Sequence, residues 1–453
     1  MVSRLLIQRC EVVAAMDDAG TELPGGSILI EDGRIAWVGV GETRDAAGAE
    51  RLDGRGCVAL PGLVNTHHHL FQTLTRVRAQ GKGLFDWLVE LYPVWAGVDE
   101  DWVRAAARVG LAELARSGCS TTTDHHYVFP AGAGDLLAAE IDAARELGVR
   151  FHPTRGSMDL GESRGGLPPD RTVEDTDAAL ANTEHAVRRY HDPAPGSMLR
   201  IAVAPCSPFS VSERLMRESA ELARRLGVRL HTHIAETLDE ERHCLQRFGK
   251  RPLDLLEEWG WLGEDVWLAH CVHLDEGDVK RMGGTGTGAA WCPSSNLRLA
   301  SGIAPARALL DAGAPLGIGV DGSASNDGGD VLGEARQGML VARAGGDPAA
   351  MSARDALWAA TRGGAACLGR EDEIGSLEPG KCADVALFDI TGLEHVGAQI
   401  DPVAALVFAA PVRVRDLFVD GAAVVRDGHL TTGDEARIAE AGRRESRRIA
   451  RTA

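Results

Sequence analysis

The stretch that decides the fold runs from Cys57 to His69 and reads CVALPGLVNTHHH. An apolar run of strand type leads directly into three consecutive histidines, so ionisable side chains stand where a strand ends. Working outward, seven further apolar runs of strand length follow before residue 321. The eight predicted strands are Cys57–Val64, Thr121–Asp124, Val149–Pro153, Leu199–Ala204, Val228–His233, Val266–His270, Gly288–Trp291 and Leu316–Val320.

Helical stretches separate these strands, among them Trp102–Ser117, Asp135–Leu147, Glu213–Leu226 and Ala304–Ala312. Strand-then-helix units repeated eight times over about 300 residues predict an α/β fold, a (β/α)₈ barrel of TIM type. A doubly wound sheet is the alternative. Its first turn would need a glycine-rich phosphate loop, and the segment 61–65 (PGLVN) is not one.

The two ends of the chain resemble each other and differ from the middle. Short β-type runs occur at Leu5–Val13, Ser27–Glu31, Arg34–Val38, Asp384–Phe388, Asp416–Val419 and Ala422–Val425. Asp-Gly pairs between them are typical of hairpins. We therefore predict a small β-sandwich-like domain built from residues 1–57 and 371–453, the latter ending in a helix, around a barrel over residues 58–370.

Composition narrows the class of function. The chain has 453 residues, and 66 acidic against 48 basic side chains give it a formal charge of −18. That balance argues against nucleic-acid or membrane partners and favours an enzyme that acts on a small molecule. The nine cysteines are scattered, with no Cys-x-x-Cys pair. They predict reduced thiols in the cytoplasm.

Ionisable residues at the predicted strand ends indicate a metal site, because a barrel of this type carries its chemistry there. His67 and His69 are two apart on a strand and so point to the same side. His233 follows the fifth strand and Asp321 the eighth, and both can complete the site. Neutral imidazoles with a carboxylate suit Zn²⁺ or Fe²⁺.

Two further residues predict proton transfer beside that metal. Glu236 lies three residues past His233, where it can reach a substrate without being a ligand. His270, at the end of the sixth strand, can hold the attacking water, and Asp321 can accept its proton.

At this point several motifs resemble the amidohydrolase superfamily, in its mononuclear aminohydrolase branch of guanine and cytosine deaminase type. They are PGLVNTHHH (61–69), HTHIAET (231–237), LAHCVHL (268–274), CPSSN (292–296) and GVDGSASND (319–327). Four further segments resemble bacterial 8-oxoguanine deaminases: HHHLFQTLTR (67–76), DHHYVFP (124–130), TRGSMDLGESRGGLPPD (154–170) and APCSPFSVSERLMRESAELARR (204–225). The resemblance covers almost the whole chain.

The resemblance implies a ligand set of His67, His69, His233 and Asp321 for one divalent metal. It also implies Glu236 as proton shuttle and His270 as the residue that stabilises the hydrated intermediate. Binuclear relatives carry a lysine at the end of the fourth strand, and residues 200–208 contain none. We therefore expect a single metal ion, and we expect zinc in preference to iron. The resemblance alone also implies a homo-oligomer.

Candidate substrate contacts are less specific. Gln72 occupies the place where guanine deaminases have a glutamine that binds the purine, and an amide suits a lactam edge. Arg155 is a candidate donor to an exocyclic oxygen, and Cys206 a small residue that leaves room for an 8-oxo group. Each residue could instead have a purely structural role: Gln72 as a surface glutamine, Arg155 in a salt bridge and Cys206 as a buried thiol.

The sequence does not decide the roles of five aromatic or histidine residues. His125 and His126 are candidates for the pocket wall, and Trp87 and Trp95 either cover a flat ring or pack their loop. Where relatives commonly have histidine, this chain has Trp291, which would alter substrate preference if it faced the pocket.

Together these features predict a metal-dependent hydrolytic deaminase acting on the C–N bond of a cyclic amidine. The first-choice reaction is 8-oxoguanine to urate plus ammonia. Guanine, isoxanthopterin and dechlorination of an s-triazine are the alternatives. A catalytically inactive metal-binding protein is the alternative from another class, and a complete ligand set with a proton shuttle argues against it.

Overall fold

The computed structural model describes residues 4–41, 43, 46–409 and 412–452. Its first seven strands are β1 (Arg4–Gln8), β2 (Val12–Ala14), β3 (Glu22–Pro24), β4 (Gly26–Glu31), β5 (Arg34–Val40), β6 (Glu50–Asp53) and β7 (Cys57–Pro61). One sheet has the order β5-β4-β1-β6. The β4–β5 hairpin turns at Asp32 and Gly33, whose φ angles of 46° and 79° are those that a type I′ turn requires.

Eight parallel strands follow, in the order β8 to β15. They are β8 (Leu63–Asn65), β9 (Cys119–His126), β10 (Arg150–Ser157), β11 (Ala202–Pro205), β12 (Leu230–Ile234), β13 (Val266–His270), β14 (Gly288–Trp291) and β15 (Leu316–Ile318). The first and last strands meet where Thr66 N–H donates to Ile318 O at 2.9 Å and Asp321 N–H to His67 O at 3.0 Å. The predicted TIM-type barrel is confirmed.

Helices alternate with these strands and cover the barrel. They are α1 (Leu84–Trp95), α2 (Glu100–Arg116), α3 (Leu136–Leu147), α4 (Thr176–Tyr190), α5 (Glu213–Leu226), α6 (Leu238–Phe248), α7 (Pro252–Glu258), α8 (Glu276–Thr285), α9 (Pro293–Arg298), α10 (Ala306–Asp311), α11 (Val331–Arg343), α12 (Ala353–Ala359), α13 (Arg362–Cys367), α14 (Pro402–Phe408) and α15 (Glu435–Thr452). Each predicted helix lies within two residues of an observed one. In the part of the chain that is described, no helix is both long and apolar enough to cross a membrane.

The C-terminal segment adds β16 (Val385–Asp389), β17 (Val414–Val419), β18 (Ala422–Arg426) and β19 (His429–Leu430). These strands join three from the N-terminus in a sheet of order β19-β18-β17-β16-β7-β2-β3. The prediction of a β-unit assembled from both ends is confirmed, while the exact boundaries at 57/58 and 370/371 stay predictions. A buried ion pair ties this unit to the barrel: Arg150 donates to both carboxylate oxygens of Asp384 at 3.0 Å.

The strand predicted over Cys57–Val64 is wrong, because this run forms two strands. β7 pairs antiparallel with β16 in the terminal sheet, and only β8 pairs with the barrel strand β9. Gly62 stands between them, where a Cβ would lie 2.3 Å from the Ser120 hydroxyl. Both strands are buried on both faces, so the apolar run shows no break where the chain changes sheets.

Candidate active site

A pocket at the carboxyl ends of the barrel strands brings together most of the predicted site residues. It is lined by His69, Gln72, Cys206, His233, Glu236, His270 and Asp321, with apolar walls from α1 and from the loops after β11 and α9. The elements that carry these residues are far apart in sequence. They share one edge because parallel strands in a barrel all end on the same side.

The four predicted metal ligands converge at the bottom of this pocket. Asp321 Oδ1 lies 3.4 Å from His67 Nε2 and 3.3 Å from His69 Nε2. His69 Nε2 lies 3.1 Å from His233 Nε2. Three ring nitrogens and one carboxylate oxygen therefore point at a common centre.

Hydrogen bonds on the far side of each ring decide which nitrogen faces that centre. His69 Nδ1–H donates to the His125 carbonyl at 2.7 Å, and His233 Nδ1–H donates to the Cys206 carbonyl at 2.7 Å. A carbonyl only accepts, so each Nδ1 carries the proton and each Nε2 presents a lone pair.

His67 reaches the same tautomer through a side chain. His231 Nδ1–H donates to the Trp267 carbonyl at 2.8 Å, which leaves His231 Nε2 as an acceptor for His67 Nδ1–H, also at 2.8 Å. The Nε2 atom of His67 is buried and has no protein hydrogen-bond partner. His231 is a functional residue not predicted from sequence, although its position two residues before His233 places both rings on one face of β12.

The donor set fits a divalent cation. Burial lowers the pKa of all three imidazoles, that of His69 to about 3, so the rings are neutral at physiological pH. Two lone pairs only 3.1 Å apart repel each other unless a cation lies between them. Imidazole nitrogens with one carboxylate oxygen are a donor set that zinc and iron prefer.

Backbone strain is concentrated at the same strand ends. Ala235, His270 and Asp321 have φ angles of 50°, 72° and 61°, a left-handed conformation that side chains with a Cβ rarely adopt. Each lies within three residues of the end of β12, β13 or β15. Such strain persists only where the surroundings impose it, and it is frequent at functional sites.

Glu236 and His270 lie beside the ligand cluster. His270 Nε2 is 3.5 Å from Glu236 Oε2 and 4.0 Å from Asp321 Oδ2. Burial raises the pKa of Glu236. Burial would lower the pKa of His270, but the neighbouring carboxylates of Glu236 and Asp321 outweigh it, and the net shift is upward.

Asn296 is a residue that sequence reasoning missed. Its Oδ1 accepts from His270 Nδ1–H at 2.9 Å, which turns His270 Nε2 towards Glu236. Asn296 belongs to the CPSSN motif on α9, and this motif was the available signal. Ser325 was missed as well; its hydroxyl donates to Asp321 Oδ2 at 3.2 Å and orients that carboxylate.

Two of the three predicted substrate-binding residues line the pocket. Gln72 is fully buried, its amide nitrogen lies 3.4 Å from the Tyr127 hydroxyl, and its carbonyl oxygen has no protein partner. Cys206 lies against the cluster of predicted ligands, with Sγ 3.9 Å from His233 Nδ1. Burial raises the pKa of this thiol to about 12, so it stays protonated.

The structure does not bring Arg155 to the pocket. Its guanidinium makes two hydrogen bonds to the Glu174 carboxylate, both at 2.8 Å, and lies 3.6 Å from the centre of the Phe129 ring. The prediction that Arg155 donates to the substrate is therefore corrected to a salt bridge. The sequence placed it just after a strand but could not show which side of β10 it takes.

Packing contacts show which of the three tryptophans, Trp87, Trp95 and Trp291, line the pocket. Trp87 lines the pocket and is anchored by a 3.1 Å hydrogen bond to the Ala324 carbonyl, whereas Trp95 packs against Phe71 behind it. Trp291 does not face the pocket, because its ring lies against Gly338 of α11.

His125 and His126 do not line the pocket either. His125 donates through Nε2 to the Ala204 carbonyl at 3.0 Å and stacks behind His233 with ring centres 4.7 Å apart. His126 Nδ1 lies 2.7 Å from Glu140 Oε1, outside the ring of strands.

Comparison with known proteins agrees with this geometry. The amidohydrolase family model matches residues 58–424. The 8-oxoguanine deaminase of Pseudomonas aeruginosa PAO1 is 50% identical over 416 residues, which is 91% of this chain and 92% of that protein. An isoxanthopterin deaminase from an unknown prokaryotic organism is 38% identical and covers 96% of this chain and 94% of its own length.

Solved structures give the same picture. The atrazine chlorohydrolase of Arthrobacter aurescens TC1, complexed with zinc, superposes with a TM-score of 0.93 at 36% identity, covering 98% of this chain and 100% of that one. Because the family model spans most of the chain and one relative is 50% identical over 91% of it, this protein belongs to the amidohydrolase family.

Proposed function

We propose that this protein is a metal-dependent hydrolytic deaminase that converts 8-oxoguanine and water into urate and ammonia. The observation that carries the proposal is the placement of a buried carboxyl, Glu236, beside a complete three-histidine and one-aspartate cluster. A 50% identical relative with that activity supports the choice of substrate.

The metal would be held by His67, His69, His233 and Asp321. We propose zinc rather than iron, because imidazole nitrogens with a carboxylate oxygen are ligands that zinc takes and a structural relative is complexed with it. When bound, a divalent cation lowers the pKa of water towards about 7 and so supplies a nucleophile at neutral pH.

Glu236 moves the protons. Its Oε1 accepts a hydrogen bond from Ser301 Oγ at 3.3 Å, which leaves Oε2 facing His270 and the pocket. Oε2 accepts one proton from the attacking water and delivers it to the ring nitrogen next to the carbon under attack. Burial raises the pKa of Glu236, which brings it closer to that of the groups it exchanges protons with.

His270 holds the oxygen that attacks. Asn296 fixes the ring so that Nε2 faces the space between Glu236 and Asp321. A C–O bond forms at the ring carbon that carries the amino group, its C–N bond breaks, and the amine leaves as ammonia after taking up the second proton of the same water.

Gln72 and the aromatic wall orient the ring. The free carbonyl oxygen and the amide group of Gln72 match the alternating donor and acceptor atoms of a lactam edge. Trp87, Tyr92 and Phe209 line the pocket with apolar surface on which a flat heterocycle can pack.

Ammonia release tests this proposal. Purified zinc-loaded protein is offered 8-oxoguanine, guanine, isoxanthopterin and a chlorotriazine at equal concentrations. We expect a clear preference for 8-oxoguanine, and we expect Glu236→Gln to abolish turnover while the metal content stays unchanged. Turnover confined to another heterocycle would overturn the assignment of 8-oxoguanine as substrate. If none of the four compounds released ammonia, the proposed deaminase activity would be overturned.

Triazine dechlorination is the second candidate, since the atrazine chlorohydrolase shares the fold over the whole chain. The same set of incubations, assayed for chloride, separates the two reactions. A protein that binds metal but releases neither ammonia nor chloride would instead be the inactive metal-binding protein.

We also propose that the protein acts in the cytoplasm and as a homo-oligomer. All nine cysteines are buried free thiols, which suits a reducing compartment. Light scattering of the purified protein gives the oligomeric state.

A further inference from the structure

A second buried glutamate lies behind Glu236. Glu240 is the third residue of α6 and is 1% exposed. Its Oε1 accepts from the backbone N–H of Ala235 at 2.8 Å, and its Oε2 accepts from the backbone N–H of Glu236 at 2.9 Å. Both carboxylate oxygens are thus used on the two peptide groups that lead into Glu236.

This arrangement differs from ordinary helix capping. In a capping box, a glutamate at the third helical position accepts from the backbone N–H of the N-cap residue, which here is Thr237. Glu240 instead reaches one and two residues further back. Within the described chain, no Lys or Arg pairs with its carboxylate, so these two N–H groups are its compensation for burial.

The turn that Glu240 holds has a conformation that its own sequence does not favour. Ala235 has a φ of 50°, in the left-handed region where glycine is the usual residue. Its carbonyl accepts from His273 N–H at 2.8 Å, and the N–H of the same peptide group, that of Glu236, donates to Glu240. The peptide group between Ala235 and Glu236 is therefore held from both sides. The direction in which the next side chain leaves the backbone follows from this turn.

We propose that Glu240 is a positioning residue that sets the turn at Ala235 and thereby places the Glu236 carboxylate for proton transfer. This inference rests on the proposed function, in which Glu236 moves the protons. Glu240 itself reaches neither the pocket nor the ligand cluster and acts through the backbone. Burial raises the pKa of Glu240 to about 7 although the two N–H groups stabilise its ionised form.

Glu240→Gln is the test, because the amide keeps one acceptor and sets an NH₂ donor against the other N–H. We expect the Ala235 and Glu236 amides to exchange hydrogen faster. We expect kcat for the best heterocycle to fall roughly 10- to 100-fold, the cost of a small misplacement of a reacting group. KM and metal content should stay within about two-fold of the wild type.

Two further variants sharpen the result. Glu241→Gln makes the same charge change one residue along α6, where the side chain is partly exposed and 3.6 Å from Arg251, and should leave all readouts unchanged. Glu240→Asp, whose carboxylate is one methylene shorter, gives the same readouts if Glu240→Gln does not fold.

Wild-type amide exchange in the Glu240 variants, or an unchanged kcat in them, would overturn this inference. So would a loss of kcat matched by equal losses of substrate affinity and metal, which a general collapse of the site would produce. The exchange measurement needs no substrate. A wild-type enzyme that deaminates nothing therefore refutes the proposed function, and Glu240 variants that exchange like the wild type refute the role of Glu240.

Discussion

The sharpest test of the ligand cluster is His231→Phe. Of the three imidazoles that face the centre, His67 is the one whose Nδ1 partner is a side chain; the partners of His69 and His233 are backbone carbonyls. Substitution can remove the first partner but not the other two. Phenylalanine retains the ring that stacks on Trp267, whose centre is 4.4 Å from that of His231.

The size of the effect follows from what His231 does. Without its acceptor, His67 Nδ1–H is buried and unsatisfied, and the ring is free to turn or to change tautomer. Loss of such an outer partner typically lowers metal affinity about 10- to 100-fold. That range corresponds to about 1.4–2.7 kcal/mol of binding free energy.

Metal retention measures this directly. Wild type, His231→Phe and His152→Phe are dialysed against graded chelator and their metal content is determined by elemental analysis. His152 is the matched control, because it is buried with its ring 6.0 Å from the same Trp267 ring but contacts no ligand. If His231→Phe keeps its metal as tightly as the wild type, or His152→Phe loses as much, the tautomer argument is refuted.

Three further predictions concern the pocket, the proton shuttle and the fold. Gln72→Leu removes a hydrogen bond worth about 1–3 kcal/mol, so it should lower kcat/KM roughly 10- to 100-fold while the metal is retained. Arg155→Met should leave KM unchanged, because Arg155 pairs with Glu174 and does not line the pocket. If both variants weakened substrate binding equally, the pocket described here would be contradicted. The Glu236 carboxylate must be ionised to accept a proton, so kcat/KM should fall as the pH drops through its pKa. Since burial raises that pKa, the acid limb should lie above 4.5, and a profile flat down to that pH would argue against the shuttle. Arg150→Met leaves Asp384 buried without its partner and should cost about 3–5 kcal/mol of unfolding free energy, read from urea denaturation; an unchanged midpoint would show that the pair does not hold the two units together.

Most of the barrel could be predicted because its signals are local. All eight predicted barrel strands overlap observed ones, the first of them only at Leu63 and Val64, and β13 (Val266–His270) and β14 (Gly288–Trp291) match to the residue. Apolar runs of strand length, separated by helical stretches, are sufficient for such assignments. The bounds of the first strand were wrong because hydropathy reports burial, and both β7 and β8 are buried, although in different sheets.

The candidate site could be predicted for a related reason. A histidine or aspartate that follows a strand in a parallel barrel reaches the same edge as all the others, whatever the distance along the chain. His67, His233 and Asp321 therefore meet, as their positions after strands predicted. Their roles as ligands, like that of Glu236 as shuttle, stay predictions until metal and activity are measured.

Which side chains converge follows from the amino-acid sequence alone, because alternation along a strand and the common direction of parallel strands are short-range properties. How these side chains are held depends on the packed fold. His231 meets His67 across 164 positions of sequence, and Arg155 turns to Glu174 and not into the pocket. These choices depend on distances between elements brought together by packing, where a shift of a few tenths of an ångström makes or breaks a hydrogen bond.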